Sequence, residues 1–376
     1  MDFLFGDLVR NLTWQMIIMW IIGATLIYLA IKKDMEPALL LPIGFGAILA
    51  NIPLSGAVTQ VAENGSVTEG VIDVLFHSGI ANELFPLLLF IGIGAMIDFG
   101  PLITNPKMLL FGAAAQFGIF ITLSMASLLG FELKDAASIA IIGAADGPTS
   151  IFVANYFNSN YLGAIIVAAY SYMALVPIVQ PPVIRLITTK KERLIRMPYS
   201  KNEVSKTVRI LFPIVTTFVA GIFSPQSVAL VGFLMFGNLL RECTVLDSLS
   251  DTAQKVLANL ITLFLGLSIA ARMRAEDFIT PETIMILGLG LFAFVFDTVG
   301  GVLFAKFLNL FVRVKINPMV GAAGISAFPM SSRVVNKMGL KEDPQNFLLM
   351  HAAGANVAGQ VASVIAGGLI IKMIGG

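Results

Sequence analysis

The chain has 376 residues, of which 57% are hydrophobic and only 12% charged, with a mean hydropathy of +0.88 and a formal net charge of +1. An average soluble domain is about 25% charged, so the composition excludes an ordinary soluble enzyme and predicts an all-α polytopic membrane protein; the near-zero charge gives no pull toward nucleic acid. A single cysteine, Cys243, excludes an internal disulfide, two histidines, His77 and His351, are too few and too far apart for a metal cluster, and the lack of a GxxxxGK pattern excludes ATP hydrolysis by this chain.

In chain order, the first apolar run, Trp14 to Ile31, is followed by Lys32-Lys33-Asp34 rather than a small-residue cleavage site, which predicts a retained helix. The pattern then predicts a short helix over 38–50, an amphipathic piece over 71–80, helices over 84–97 and 108–129, an interrupted segment over 136–157 and a helix over 161–184. A first repeat over 14–184 and a second over 210–376 are joined by a basic linker, 185–209. The linker holds eight of the 24 Lys and Arg residues: Arg185, Lys190, Lys191, Arg193, Arg196, Lys201, Lys206 and Arg209. That density places it in the cytoplasm.

The halves echo one another. A shift of 174 residues brings Val71-Ile72-Asp73 onto Val245-Leu246-Asp247 and Leu89-Phe90-Ile91-Gly92-Ile93 onto Leu263-Phe264-Leu265-Gly266-Leu267. Larger shifts bring Gly143-Ala144-Ala145 onto Gly321-Ala322-Ala323, and Gly44-Phe45 onto Gly232-Phe233. With Lys33 and Arg185 both cytoplasmic, an even number of crossings must lie between them. That parity holds only if the interrupted segment dips into the bilayer and returns. The first helix then ends inside while its counterpart at 210–223 begins inside, so two inverted-topology repeats with re-entrant hairpins are expected.

Within 136–157, Ile142-Gly143-Ala144-Ala145-Asp146-Gly147-Pro148-Thr149-Ser150 places a carboxylate, a Gly-Pro break and two hydroxyls in an apolar run. A charged side chain at membrane depth costs roughly 2.5–3.5 kcal/mol on insertion scales and marks a functional site by default. Backbone freed by the break is tolerated only where it is buried in protein or lines a cavity. The second break, Asn317 to Arg333 within a hairpin expected over 317–335, lacks the aspartate but carries Asn317, Ser326, Pro318, Pro329 and Arg333. Paired breaks in opposed halves point to a midplane transport site.

Four strings carry a family resemblance: Gly143 to Ser150; Ala169-Tyr170-Ser171-Tyr172-Met173-Ala174-Leu175-Val176-Pro177 with Gln180-Pro181-Pro182; Leu249-Ser250-Asp251-Thr252-Ala253-Gln254; and Pro344-Gln345-Asn346-Phe347-Leu348-Leu349-Met350-His351. Through them the chain resembles the beta subunits of the sodium-pumping biotin-dependent decarboxylases acting on oxaloacetate, glutaconyl-CoA or methylmalonyl-CoA. The resemblance implies a bacterial cytoplasmic-membrane subunit that decarboxylates carboxybiotin, exports Na+ and consumes a proton. It also implies partners: a carboxyltransferase (alpha) subunit, a biotin carrier protein, a small single-span gamma or delta subunit, and further beta subunits. The chain has no Met-Lys-Met biotinylation hairpin, so biotin is expected on a partner.

Carried over by motif, the catalytic candidates are Asp146, Tyr172 and Arg333, and the sodium ligands are Asp146, Thr149, Ser150, Asn317, Gly321 and Ser326. Ala144 stands where many members of the family carry glycine. Each assignment has a plainer counterpart: Asp146 as a helix cap, Tyr172 as an interfacial anchor, Arg333 as a snorkelling helix end, and the neutral polar residues as interhelical glue. Asp297 and Asn356 are secondary candidates, Asp297 being either a second ion ligand or the partner of a nearby cation. The alternative function is sodium-coupled secondary transport of an organic anion, which the same paired breaks would serve.

Overall fold

The computed structural model describes residues 10–33, 35–61, 65–198 and 204–375; Asp34 and Lys201 lie outside them. Among the described residues, five helices are long and apolar enough to cross a membrane: Trp14–Lys33, Pro106–Leu128, Asp247–Arg272, Pro281–Phe311 and Leu349–Gly375. Two more spans arise if bent pairs are each taken together, Val71–Ile80 with Leu84–Met96 (63°) and Leu162–Met173 with Leu175–Ile187 (68°). The protein is therefore a multi-pass helical membrane protein. Its small departure from an all-helical fold is an antiparallel pair, Gln60–Val61 with Val67–Thr68.

The order of elements recurs along the chain. In the first half a long helix, Trp14–Lys33, and a shorter one, Pro37–Ala50, precede Val71–Leu75, which runs through a π-helical turn, Phe76–Ile80, toward Leu84–Met96. In the second half Lys206–Phe223 and Val228–Glu242 precede Asp247–Asp251, which runs through a π-helical turn, Thr252–Leu257, into Ala258–Ile269. Packing is reciprocal: Pro37–Ala50 lies on Ala258–Ile269, and Val228–Glu242 lies on Leu84–Met96.

Glycine sets the second of these contacts. A β-carbon on Gly94 would fall 1.8 Å from the Leu234 carbonyl oxygen, and one on Gly237 would fall 2.0 Å from that of Ile91. Such backbone proximity holds helices together in a bilayer, where apolar side chains gain little by leaving lipid. Buried amides fasten the helix ends. Asn51 donates to Ala47 and Met273 (2.8 and 2.7 Å) and accepts from the Ala275 amide, while Asn238 donates to Ile97.

Two expected helices are not continuous. The 108–129 helix is interrupted by a turn at Ala115–Gln116 between Leu109–Ala114 and Phe117–Leu128. The helix expected to end at 184 runs from Leu162 to Ile187 and bends at Met173–Leu175. Pro177 accounts for that bend, because its ring crowds the carbonyl four residues back, at Met173. Regular structure resumes at Lys206 rather than 210, where the Ser205 hydroxyl caps the first turn.

Both broken segments begin and end at neighbouring points. The first comprises Leu133–Ala140, a tight turn Ile141–Ala144 and Gly147–Tyr156, and Ser159 donates to Asp135 across its two ends (2.6 Å). The second comprises Met319–Ala322, an irregular stretch with a cis Phe328–Pro329 bond, and Met330–Glu342. Its ends meet at the linker. Asn317 donates to the Arg193 and Ile195 carbonyls (2.9 Å each), Arg193 pairs with Glu342 (2.8 Å), and Arg196 pairs with Asp343 (2.6 Å). The Arg196 hydrogen bond holds the Asp343 carboxyl below the usual carboxylate range.

Candidate functional site

The two breaks touch. The Ser326 amide of the second donates to the Ala144 carbonyl of the first at 3.0 Å. Ala145 adopts a left-handed conformation (φ 52°) and Asp146 an extended one, so the chain reverses just before Gly147-Pro148 start a new helix. Proline suits that place, since the first helical turn leaves its amides without intrahelical partners.

Asp146 is 3% exposed and caps this helix. Its Oδ2 accepts from the Thr149 hydroxyl (2.7 Å) and from Ser363 (2.8 Å) of the Leu349–Gly375 helix. Its Oδ1 has only a long bond from the Thr149 amide, 3.3 Å. One carboxylate oxygen is thus saturated and the other retains free lone pairs. The Ser150 hydroxyl is turned back onto the Asp146 carbonyl (2.9 Å).

Beside the carboxylate lies a cavity of about 80 Å³ lined by Ala145, Asp146, Met173, Ser326, Phe328 and Gln360, among others. A liquid water occupies about 30 Å³, and pockets that enclose organic ligands run about 300–1,000 Å³. The space suits a small, partly hydrated cation and is too small for an organic acid. Neutral oxygens converge around the second break. Gln360 donates to the Ser326 carbonyl and Asn356 to that of Ile325 (2.6 Å), which leaves Gln360 Oε1 and Asn356 Oδ1 buried without partners among the described residues. The Ser326 hydroxyl donates to the Gly359 carbonyl (3.1 Å). A carboxylate with neutral amide and hydroxyl oxygens, and no thiolate or imidazole among the lining residues, is a donor set for a hard cation.

The geometry draws together Asp146, Thr149, Ser150, Ser326 and Asn356. Asn317 does not join them. Both its amide donations go to the linker, and its oxygen accepts from Met319 (3.1 Å), so it ties the start of the second broken segment to the linker. Gly321 is also apart, its backbone pressed on that of Gly301; a β-carbon there would fall 2.0 Å from the Gly301 oxygen. Tyr172 donates to the Leu287 carbonyl in the Pro281–Phe311 helix.

Asp297 is fully buried, and no cation faces it among the described residues. Its Oδ1 instead accepts from the Gly118 and Ile119 amides (2.5 and 3.3 Å), so it supports the interruption at Ala115–Gln116. Arg333 is exposed, one turn beyond the cavity-lining Pro329, and its guanidinium forms no ion pair among the described residues. Ser363 and Gln360 were missed in the sequence. Their only signal was polarity on one face of an apolar helix, three residues apart, a spacing that places side chains together.

Residues 15–374 match the family described as the Na+-transporting oxaloacetate decarboxylase beta subunit. The chain is 50% identical to glutaconyl-CoA decarboxylase subunit beta of Acidaminococcus fermentans, over 97% of this chain and 94% of that one. It is 51% identical to methylmalonyl-CoA decarboxylase subunit beta of Veillonella parvula (95% and 92% covered) and 44% identical to oxaloacetate decarboxylase beta chain of Klebsiella pneumoniae (95% and 94%).

Proposed function

This chain belongs to the family of Na+-transporting decarboxylase beta subunits, and from that premise we propose how it works: sodium binds between the two breaks, and its passage is coupled to loss of carbon dioxide from a carboxybiotin carried by a partner. It is a membrane subunit of a decarboxylase sodium pump. The observation that supports the coupling is Asp146, one buried carboxylate bonded to Thr149 of its own helix and to Ser363 of the Leu349–Gly375 helix, two residues from Ala144, whose carbonyl accepts from Ser326 of the second break.

Sodium here is the cargo. Asp146 Oδ1 supplies the charge that makes the loaded site inexpensive to bury, and Gln360, Asn356, Ser326 and Thr149 supply neutral oxygens. Arg333, exposed and without an ion pair among the described residues, receives the carboxylate of carboxybiotin, whose planar group matches the guanidinium fork. Moving one charge against 100 mV requires about 2.3 kcal/mol, so decarboxylation must be withheld until the ion is bound. The breaks provide the means, since each can rearrange without unwinding a continuous helix.

The halves are inverted repeats, and the hairpins enter from opposite faces, the second from the cytoplasmic side where the linker holds its base. The membrane is the bacterial cytoplasmic membrane. The partners are the carboxyltransferase subunit, the biotin carrier protein, a single-span gamma or delta subunit and further copies of this chain. Tyr172 serves the ion or proton path through the Pro281–Phe311 helix.

The test is carboxybiotin turnover with and without sodium in the purified complex. At an effective dielectric near 20, removing a unit charge about 4 Å from the ion forfeits about 4 kcal/mol, so Asp146→Asn should weaken sodium binding roughly a thousandfold. Arg333→Lys should cut turnover while leaving sodium-dependent thermal protection intact. Sodium-stimulated turnover at the wild-type rate in Asp146→Asn would falsify the reading.

A further inference from the structure

Two buried tyrosines stand close together on the bent Leu162–Ile187 helix, and their hydroxyls have different fates. Tyr172 is committed to the Leu287 carbonyl, its ring against Gly290, so it belongs to the contact with the Pro281–Phe311 helix. Tyr170 lies against the first break. A β-carbon on Gly147 would fall 2.2 Å from both its Cε1 and its Cζ. Cζ carries the hydroxyl, which therefore sits at the turn that presents Asp146, within electrostatic range of that carboxylate.

Tyr170 is 2% exposed, and its hydroxyl has no hydrogen-bond partner among the described residues. Burying an unpaired hydroxyl is unfavourable. The neighbouring hydroxyls of Thr149, Ser150 and Ser363 are all paired. A phenol oxygen with free lone pairs is a neutral donor of the kind a hard cation takes, and Asp146, next to Gly147, has one carboxylate oxygen to spare. Gly147 has a reason of its own here: any side chain would displace the ring.

We propose that Tyr170 is a further ligand of the cation held at Asp146, its phenolic oxygen continuing the coordination that Oδ1 begins. This rests on the reading that sodium binds at Asp146, and the experiment separates the two. Sodium chloride is titrated against choline chloride at fixed ionic strength into purified complexes carrying Tyr170→Phe, Tyr172→Phe or Asp146→Asn, with thermal protection and decarboxylation both recorded.

Without sodium, Tyr170→Phe should melt as the wild type does, because the lost hydroxyl makes no bond there. Its half-saturating sodium concentration should rise roughly tenfold, while turnover at saturating sodium changes less. An unchanged half-saturation in Tyr170→Phe, with protection lost in Asp146→Asn, overturns the Tyr170 assignment and leaves the ion site standing. A shift confined to Tyr172→Phe likewise overturns it. Protection that persists in Asp146→Asn overturns both.

Discussion

The two helix breaks meet the same difficulty, polar backbone at membrane depth, in different ways. The first is largely self-sufficient: Asp146 caps its own helix through Thr149, and Ser150 closes back onto the Asp146 carbonyl. The second carries no carboxylate and borrows its partners. Gln360 and Asn356 hold the Ser326 and Ile325 carbonyls, and Gln180 reaches the Ala322 carbonyl (2.7 Å) and Ser331 (2.9 Å). A break satisfied from outside is tied to the position of its neighbours, whereas one satisfied from within can keep its shape. The contrast sets a fixed, carboxylate-bearing element against a responsive one that has no carboxylate.

Gln360→Leu attacks the borrowed support most directly and should show the largest effect. It leaves the Ser326 carbonyl buried without a donor, at a cost of about 1–3 kcal/mol. The sodium-free melting temperature should fall and half-saturating sodium should rise together, read by scanning calorimetry and sodium titration. A variant as stable as the wild type would mean that the second break satisfies itself after all.

A smaller effect is expected at Asp297, whose Oδ1 supports the interruption at Ala115–Gln116. Asp297→Asn keeps an acceptor for the Gly118 and Ile119 amides and should cost no more than about 1 kcal/mol, with sodium affinity unchanged. Asp297→Leu strands both amides and should melt clearly lower. Loss of sodium dependence in the Asn variant, at unchanged stability, would restore Asp297 as an ion ligand.

The smallest effect belongs to the point where the second broken segment meets the linker. The Asp343 carboxyl is depressed by Arg196, so its contribution to stability is present above the ordinary carboxylate pKa and lost as pH falls through the lowered value. Arg196→Gln should melt slightly below the wild type at neutral pH, with the gap closing in acid and in high salt. A gap that widened in acid would show that Arg196 stabilises through another partner.

Much of this architecture was legible because helices in membranes announce themselves by apolar length, and breaks by Gly and Pro. Asp146 stood out because charge at that depth is costly. What escaped was long-range. The interruption at Ala115–Gln116 has no proline to mark it and is supported by Asp297, far away in sequence. Asn317 looked like an ion ligand by its motif, yet its amide is occupied by linker carbonyls that no local pattern reveals. Ser363 and Gln360 were hidden because a polar residue on an apolar helix also reads as interhelical glue. Tyr170 and Tyr172 differ only in which way the bent helix turns them.

The reciprocal packing of the halves bears on biogenesis. Pro37–Ala50 finds its bed on Ala258–Ile269, and Leu84–Met96 receives Val228–Glu242, so each half keeps an unfinished surface until the other emerges. The helices made first must wait in the bilayer with Gly94 and its neighbours uncovered while the linker and the second half are synthesised. Maturation is then a late, whole-chain event, in which the surroundings of Asp146 are complete only when Ser363 and its neighbours have been laid against the break made more than half a chain earlier.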